Sequence, residues 1–197
     1  MTVFHLVRHG LYDAVDRVLT GRSPGLSLNA AGRAQAERLG TALAHLPLAV
    51  VVASPLERAR ETAVPIARAH GLEVITTAAF IEVDYSTWTG QTVAALDGDP
   101  VWRLWNTARG IAATPGGEAM VDVQARATGQ LRRLHTEMPE AEVVVVSHGD
   151  VIRAMLCAAL GMSLDMLLRL EVEPASRSVL VLHSYGVEVR HINLPID

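Results

Sequence analysis

Two histidines carry the chemistry that this sequence makes possible. His9 lies in Arg8-His9-Gly10, at the end of the apolar run Val3-Phe4-His5-Leu6-Val7. His148 lies in Ser147-His148-Gly149, at the end of Val143-Val144-Val145-Val146. A neutral imidazole attacks phosphorus and splits one difficult transfer into two easier ones through a phosphohistidine. Phosphoryl oxygens in turn require cationic donors, and arginine supplies them as a bidentate fork. Arg8 and Arg58 are the candidates, with His148 as a further donor when protonated. Glycine after each histidine allows a sharp turn and close approach of backbone to an anion. The departing alkoxide needs a proton, which calls for a carboxylic acid, and Glu82 and Asp84 stand in one segment able to provide it.

These residues are far apart in sequence, so the fold must gather them. Alternation along a strand sends Arg8 and His9 to opposite faces unless the strand ends there. Continuous apolar runs at the N-terminus, at Leu48-Ala53 and at Glu142-Val146 read as buried strands of a parallel sheet. Asn29 is expected to cap a helix over about 30–45, with Ala36, Leu39, Leu43 and Leu46 inward. Ser54-Pro55-Leu56-Glu57 reads as a capping box opening a helix to about His70, with Pro65 as a kink. A third strand is expected over 72–76, and a helix over 119–138 with Val123, Ala127, Leu131 and Leu134 buried. Helices over 151–160 and 163–170 follow, and a hairpin over 178–192 ends the pattern. The segment 80–115, with Trp88, Trp102 and Trp105, is irregular and reads as an insertion capping one end of the sheet. The expectation is a single α/β domain over 1–197: a three-layer sandwich, with a mostly parallel central sheet flanked by helices and a small cap. In such sheets ligands bind beyond the carboxyl ends of the strands, where Arg8-His9-Gly10, Ser54–Arg58 and Ser147-His148-Gly149 all lie.

Composition narrows the function classes. The 197 residues carry a net charge of −4, and all 17 basic residues are arginine. There is no basic excess of the kind a general nucleic-acid binder shows. The single Cys157 lies in an apolar run and rules out an intrachain disulfide framework. The remaining histidines show no metal-ligand spacing, and His5 reads as a core residue. With no leader pattern and no apolar stretch of membrane-spanning length, a cytoplasmic protein with no membrane or nucleic-acid partner is expected.

Leu6-Val7-Arg8-His9-Gly10, Ser54-Pro55-Leu56-Glu57-Arg58, Pro115-Gly116-Gly117-Glu118 and Val146-Ser147-His148-Gly149 occur in the order found in the histidine phosphatase superfamily. The chain resembles the phosphoglycerate-mutase-like proteins of its branch 1 over nearly its whole length. The resemblance implies a phosphoglycerate-mutase-like fold and a metal-independent phosphatase acting on small phosphorylated substrates, with no cofactor. It also implies that His9 is the phosphorylated nucleophile, that Arg8, Arg58 and His148 form the phosphate pocket, and that Glu82 is the proton donor. Gly10, Thr20, Gly21, Arg22 and Gly149 complete the expected substrate contacts, with Arg109 a further candidate cation. Leu11 and Val15 depart from the family pattern, so the small polar donor is missing or supplied by the Thr20-Gly21 backbone. Asp150 is read as a charge complementing a helix N-terminus, not as the acid. The alternatives are a phosphoglycerate-type mutase and a non-catalytic phospho-ligand binding module. Oligomeric state is left open, with a homodimer compatible.

Overall fold

The computed structural model describes residues 1–15 and 17–196. Six strands form one sheet: β1 (Thr2–Arg8), β2 (Leu48–Ala53), β3 (Val74–Thr76), β4 (Glu142–Ser147), β5 (Arg177–His183) and β6 (Gly186–Leu194). Their order is β3-β2-β4-β1-β5-β6. The first four are mutually parallel, and β5 and β6 run antiparallel as a closing hairpin. Residues 143–147 of central β4 are buried without a break. A run of valines fits that position because both faces of a central strand are covered and β-branched side chains pack on the pleat.

Alternation along the strands creates two core layers. Val143 and Val145, with Phe4 and Leu6, face α5 (Met120–Glu137), α6 (Gly149–Leu160) and the cap. Val144 and Val146, with Val7 and Val51, face α1 (Ala30–Leu43) and α2 (Glu57–Ala69). A helix-sheet-helix sandwich results, as expected. Asn29 caps α1 by accepting from the Gly32 N–H at 2.9 Å. The predicted stripe of α5 is buried as well.

The start of α2 differs from expectation. Leu56, not Ser54, is its N-cap residue, and no side chain caps it. Ser54 is drawn away because its hydroxyl bonds His148 Nε2 at 2.8 Å. Glu57 does not reach back to Ser54 but accepts from the Gly25 N–H at 3.0 Å, tying down the loop before α1. The expected third strand shortens to three residues, and the expected 163–170 helix is a 3-10 segment, Leu164–Arg169.

The cap contains α3 (Val93–Leu96) and α4 (Pro100–Thr107) and packs around its tryptophans. Trp88 meets Trp102 and Trp105 edge-on at 5.3 and 6.3 Å between ring centres. Leu19 N–H donates to Gln91, and Gly90 N–H donates to Leu19, tying the long loop after β1 to the cap. Cys157 and His5 are core residues; His5 Nε2 lies 3.2 Å from Glu142. Among the described residues no helix is long and apolar enough to cross a membrane.

Candidate active site

Strand register brings the two histidines together. Arg8 is level with Ser147 on neighbouring parallel strands, and β2 ends level with β4, Ala53 opposite Val146. The next residue of each chain therefore leaves the sheet at one edge: His9, Ser54 and His148. The His9 N–H donates to the Ser147 carbonyl and the Ser54 N–H to the Val146 carbonyl, extending the ladders by one bond. The imidazole centres of His9 and His148 are 5.2 Å apart.

The turn after β1 depends on close backbone approach, not on an unusual Gly10 conformation. A Cβ at Gly10 would lie 2.9 Å from the Gly32 carbonyl oxygen, and one at Gly32 only 2.0 Å from that of Leu11. The two glycines let the turn settle on the first turn of α1. Thr62 then joins the turn to α2, its hydroxyl accepting from the Gly10 N–H and donating to the Arg58 carbonyl. Leu11 N–H is held by Gln35 at 2.8 Å.

Hydrogen bonding assigns the tautomer of His9. Nδ1 is 2.8 Å from the Gly10 carbonyl, which can only accept, so Nδ1 carries the proton and Nε2 keeps a lone pair. Burial, then the charges of Arg58 and Arg8, hold this histidine's pKa well below 6.5. Tyr12 packs edge-on against His9, with ring centres 5.4 Å apart, and Arg58 stacks on the same tyrosine.

His148 meets the expectation of a donor in its neutral form only. It too lies well below 6.5, through burial and then Arg58, so it is a neutral donor and not a cation. Ser54 Oγ–H can donate to Nε2, which leaves the proton on Nδ1, 3.8 Å from the Glu82 carboxylate. Arg58 is wholly buried, with Nη2 donating to the Gly21 carbonyl at 2.9 Å. Its Nε and Nη1, and His148 Nδ1, are buried polar groups without a hydrogen-bond partner among the described residues. Leaving such groups unmatched is costly in a folded protein, and guanidinium nitrogens are groups that an anion would match. Arg8 is aimed by donation of Nη1 to the Val172 carbonyl at 2.8 Å.

Arg8, His9, Thr20, Gly21, Glu82 and Gly149 line one cavity of about 320 Å³, closed by Tyr12, Tyr85, Trp102 and Arg109. Arg58 and His148 are buried beside this lining, Arg58 bonded to Gly21, and His148 bonded to Ser54 and next to His9. Gly21 offers its carbonyl and so aims Arg58. The Thr20 hydroxyl pairs with Tyr12 at 2.8 Å.

The two carboxyl candidates separate clearly. Glu82 reaches the cavity, whereas Asp84 turns away to accept from the Ser86 N–H and to approach Arg22 at 3.7 Å. Burial, then the negative charge of Asp150, pushes the Glu82 carboxyl up to about 7. Arg22 is not in the cavity wall. It bonds the Glu82 carbonyl at 2.9 Å and Glu118 at 2.7 Å, so it braces the loop that carries Glu82. Glu118 also accepts from Asp84 N–H and Arg126, and a Cβ at Gly117 would stand 2.1 Å from the Asp84 carbonyl oxygen. The Pro115–Glu118 motif is thus a clamp on the Glu82 loop.

Sequence reasoning missed Tyr12, Thr62 and Tyr85, and read Ser54 as a helix cap at a strand end without its bond to His148; these contacts arise only from tertiary neighbours. It also undervalued Asp150. This carboxylate accepts from Arg109, from Arg153 at 3.0 Å and from the Tyr85 hydroxyl at 3.2 Å. Burial opposes its charge, but Arg109 and Arg153 outweigh that and hold it well below the usual carboxylate range. Among the described residues no group of three or more His, Cys, Asp or Glu is placed to hold a metal ion.

Similarity to known proteins places the chain in a family. Residues 4–195 match the model of the histidine phosphatase superfamily, branch 1. A phosphoserine phosphatase 1 of Hydrogenobacter thermophilus is 36% identical over 165 residues, covering 81% of this chain and 78% of that one. A glucosyl-3-phosphoglycerate phosphatase of Mycobacterium tuberculosis is 33% identical over 165 residues, covering 79% and 74%. A solved structure of mycobacterial glucosyl-3-phosphoglycerate phosphatase complexed with VO3 has a TM-score of 0.88 at 31% identity, covering 98% of both chains. Bacillus stearothermophilus YhfR gives 0.91 at 25% identity, also covering 98% of both. The chain belongs to the histidine phosphatase superfamily, branch 1.

Proposed function

We propose that this protein hydrolyses small phosphate monoesters through a phosphohistidine on His9. The observation that carries the reading is one imidazole, neutral and with Nε2 free for attack, set among buried guanidinium donors at a shared strand edge. In the first step Nε2 bonds to phosphorus and the bond to the ester oxygen breaks. The electron pair stays on that oxygen, which takes the proton of Glu82. Positive charge developing on the ring is met by the Gly10 carbonyl at Nδ1. Arg8, Arg58 and His148 Nδ1–H hold the phosphoryl oxygens, an electrostatic contribution set in place before reaction. In the second step water attacks phosphorus, its proton passes to the Glu82 carboxylate, and the N–P bond breaks to return neutral His9. A carboxyl that titrates near neutrality suits both duties.

The guanidiniums supply the cationic charge that phosphate needs, so turnover is expected without a metal. Relatives that include phosphatases of phosphoserine and of glucosyl-3-phosphoglycerate support small phosphorylated alcohols as substrates. The test is phosphate release across a panel of such esters in the presence of chelator, beside His9→Ala, with alkaline-detergent quench trapping of the phosphoenzyme. Chelator-resistant turnover with a base-stable, acid-labile phosphoenzyme that His9→Ala lacks is expected. Isomerisation of 3-phosphoglycerate without release would mean a mutase. Vanadate binding without turnover on any ester would mean a binding module.

A further inference from the structure

The cavity poses a charge problem. Arg8, Arg109 and Arg153 line it and Arg58 lies at its wall. A carboxyl facing four guanidiniums would give up its proton, yet Glu82 must hold one when substrate arrives. His148 and His9 are neutral and cannot compensate. Tyr85, three residues on, is kept protonated by burial and then by Asp150. Arg22 and Arg126 meet the Glu82 backbone carbonyl, and both are committed to Glu118. The charge that balances the inner cavity comes from α6. Asp150, two residues after His148, lines the same cavity and takes one donor from each of three segments: Tyr85 on the acid loop, Arg109 just after α4, and Arg153 one turn along α6.

We propose that Asp150 is a positioning residue that keeps the proton on Glu82, by neutralising Arg109 and Arg153 and by setting its own negative charge beside the acid. This rests on the reading of Glu82 as proton donor. Asp150 makes no bond to substrate; it acts through the field it creates. A like charge nearby disfavours ionisation, and two guanidiniums spent on a partner no longer favour it. Replacing Asp150 by Asn changes both effects in the same direction.

The test compares wild type with Asp150→Asn on phosphoserine, whose alkoxide needs a proton, and on p-nitrophenyl phosphate, whose phenolate does not. Glu82 is followed separately by carbon-13 NMR titration of its carboxyl. For phosphoserine the alkaline fall of kcat/KM should move down by one pH unit or more, an about tenfold loss at pH 8. p-Nitrophenyl phosphate should change less than about threefold, since general-acid help is what is withdrawn. Asp150→Glu should restore the limb, and Tyr85→Phe, which keeps the charge, should leave it in place. If Asp150→Asn does not fold, Arg109→Met with Asp150→Asn removes that ion pair whole; it still frees Arg153 and takes away the charge beside Glu82, so the limb should move in the same direction by a smaller amount. An equal loss on both esters with an unmoved Glu82 titration overturns the proposal in favour of a bracing role. A titration that moves while the phosphoserine limb stays upholds the charge effect and sinks the donor assignment instead.

Discussion

Glu82→Gln should slow turnover and make the protein more stable, and the gain should depend on pH. In the folded protein this carboxyl titrates near 7 instead of 4.5, because it is buried beside the charge of Asp150. The folded state therefore favours the protonated form. The stability associated with that preference is fully present below about 4.5, declines as pH rises, and is gone once Glu82 ionises above about 7. At about 1.4 kcal/mol per pH unit, the gap corresponds to about 3 kcal/mol. Glutamine is a neutral isostere of the protonated acid, and its Oε1 can keep the bond that Glu82 accepts from the Val83 N–H at 2.9 Å. Urea denaturation of both proteins at pH 5, 6 and 8 should give stability differences of about 1, 2 and 3 kcal/mol in favour of the variant. All other titrating groups are common to the two proteins and largely cancel. Turnover of alkyl phosphates should fall about 10²–10⁴-fold, the usual range for a lost general acid. A difference that stays constant across pH, or a wild type more stable at pH 8, would refute the assignment of an ionisable, repelled carboxyl to this position.

Other perturbations test the rest of the site. Arg58→Met should lower kcat/KM about 10²–10³-fold, as loss of a preorganised charged donor does, and abolish thermal stabilisation by vanadate. Because two of its nitrogens are unmatched in the pocket, the unliganded variant should melt no lower than wild type in a thermal scan. Gly117→Ala places a Cβ 2.1 Å from the Asp84 carbonyl oxygen, so the Glu82 loop must shift; activity should fall more than melting temperature. Gly32→Ala should cost about 1–3 kcal/mol in denaturation through the clash with Leu11, as overpacking does. Since His9 titrates well below 6.5, phosphoenzyme formation in rapid quench should stay level from pH 6.5 down until that lower pKa is met, then fall.

The sandwich, its buried strands and the capped α1 were legible because each is local information. Valine runs mark central strands, spacing of three and four marks a helix face, and Asn29 offers a side-chain oxygen to a helix start. Ser54 shows how such a reading fails. Its local pattern is a helix cap, but a partner 94 residues away takes the hydroxyl, and α2 starts later. Arg22 and Arg109 show the same limit from the other side. Both are arginines in irregular segments, and nothing nearby in sequence distinguishes the brace on Glu118 from the cavity-lining partner of Asp150.

Residue type and order by themselves determined the α/β frame and the chemistry to expect of it: an imidazole followed by glycine at two strand ends, and arginines of the kind a phosphoryl group would need. Only the tertiary structure decided which carboxyl faces His9 and which protonation states the groups hold. Those outcomes depend on burial and on charges brought from β1, α2, the cap and α6 to within a few ångströms. Coulomb interactions act through space, and no stretch of the chain records which distant charge will become its neighbour.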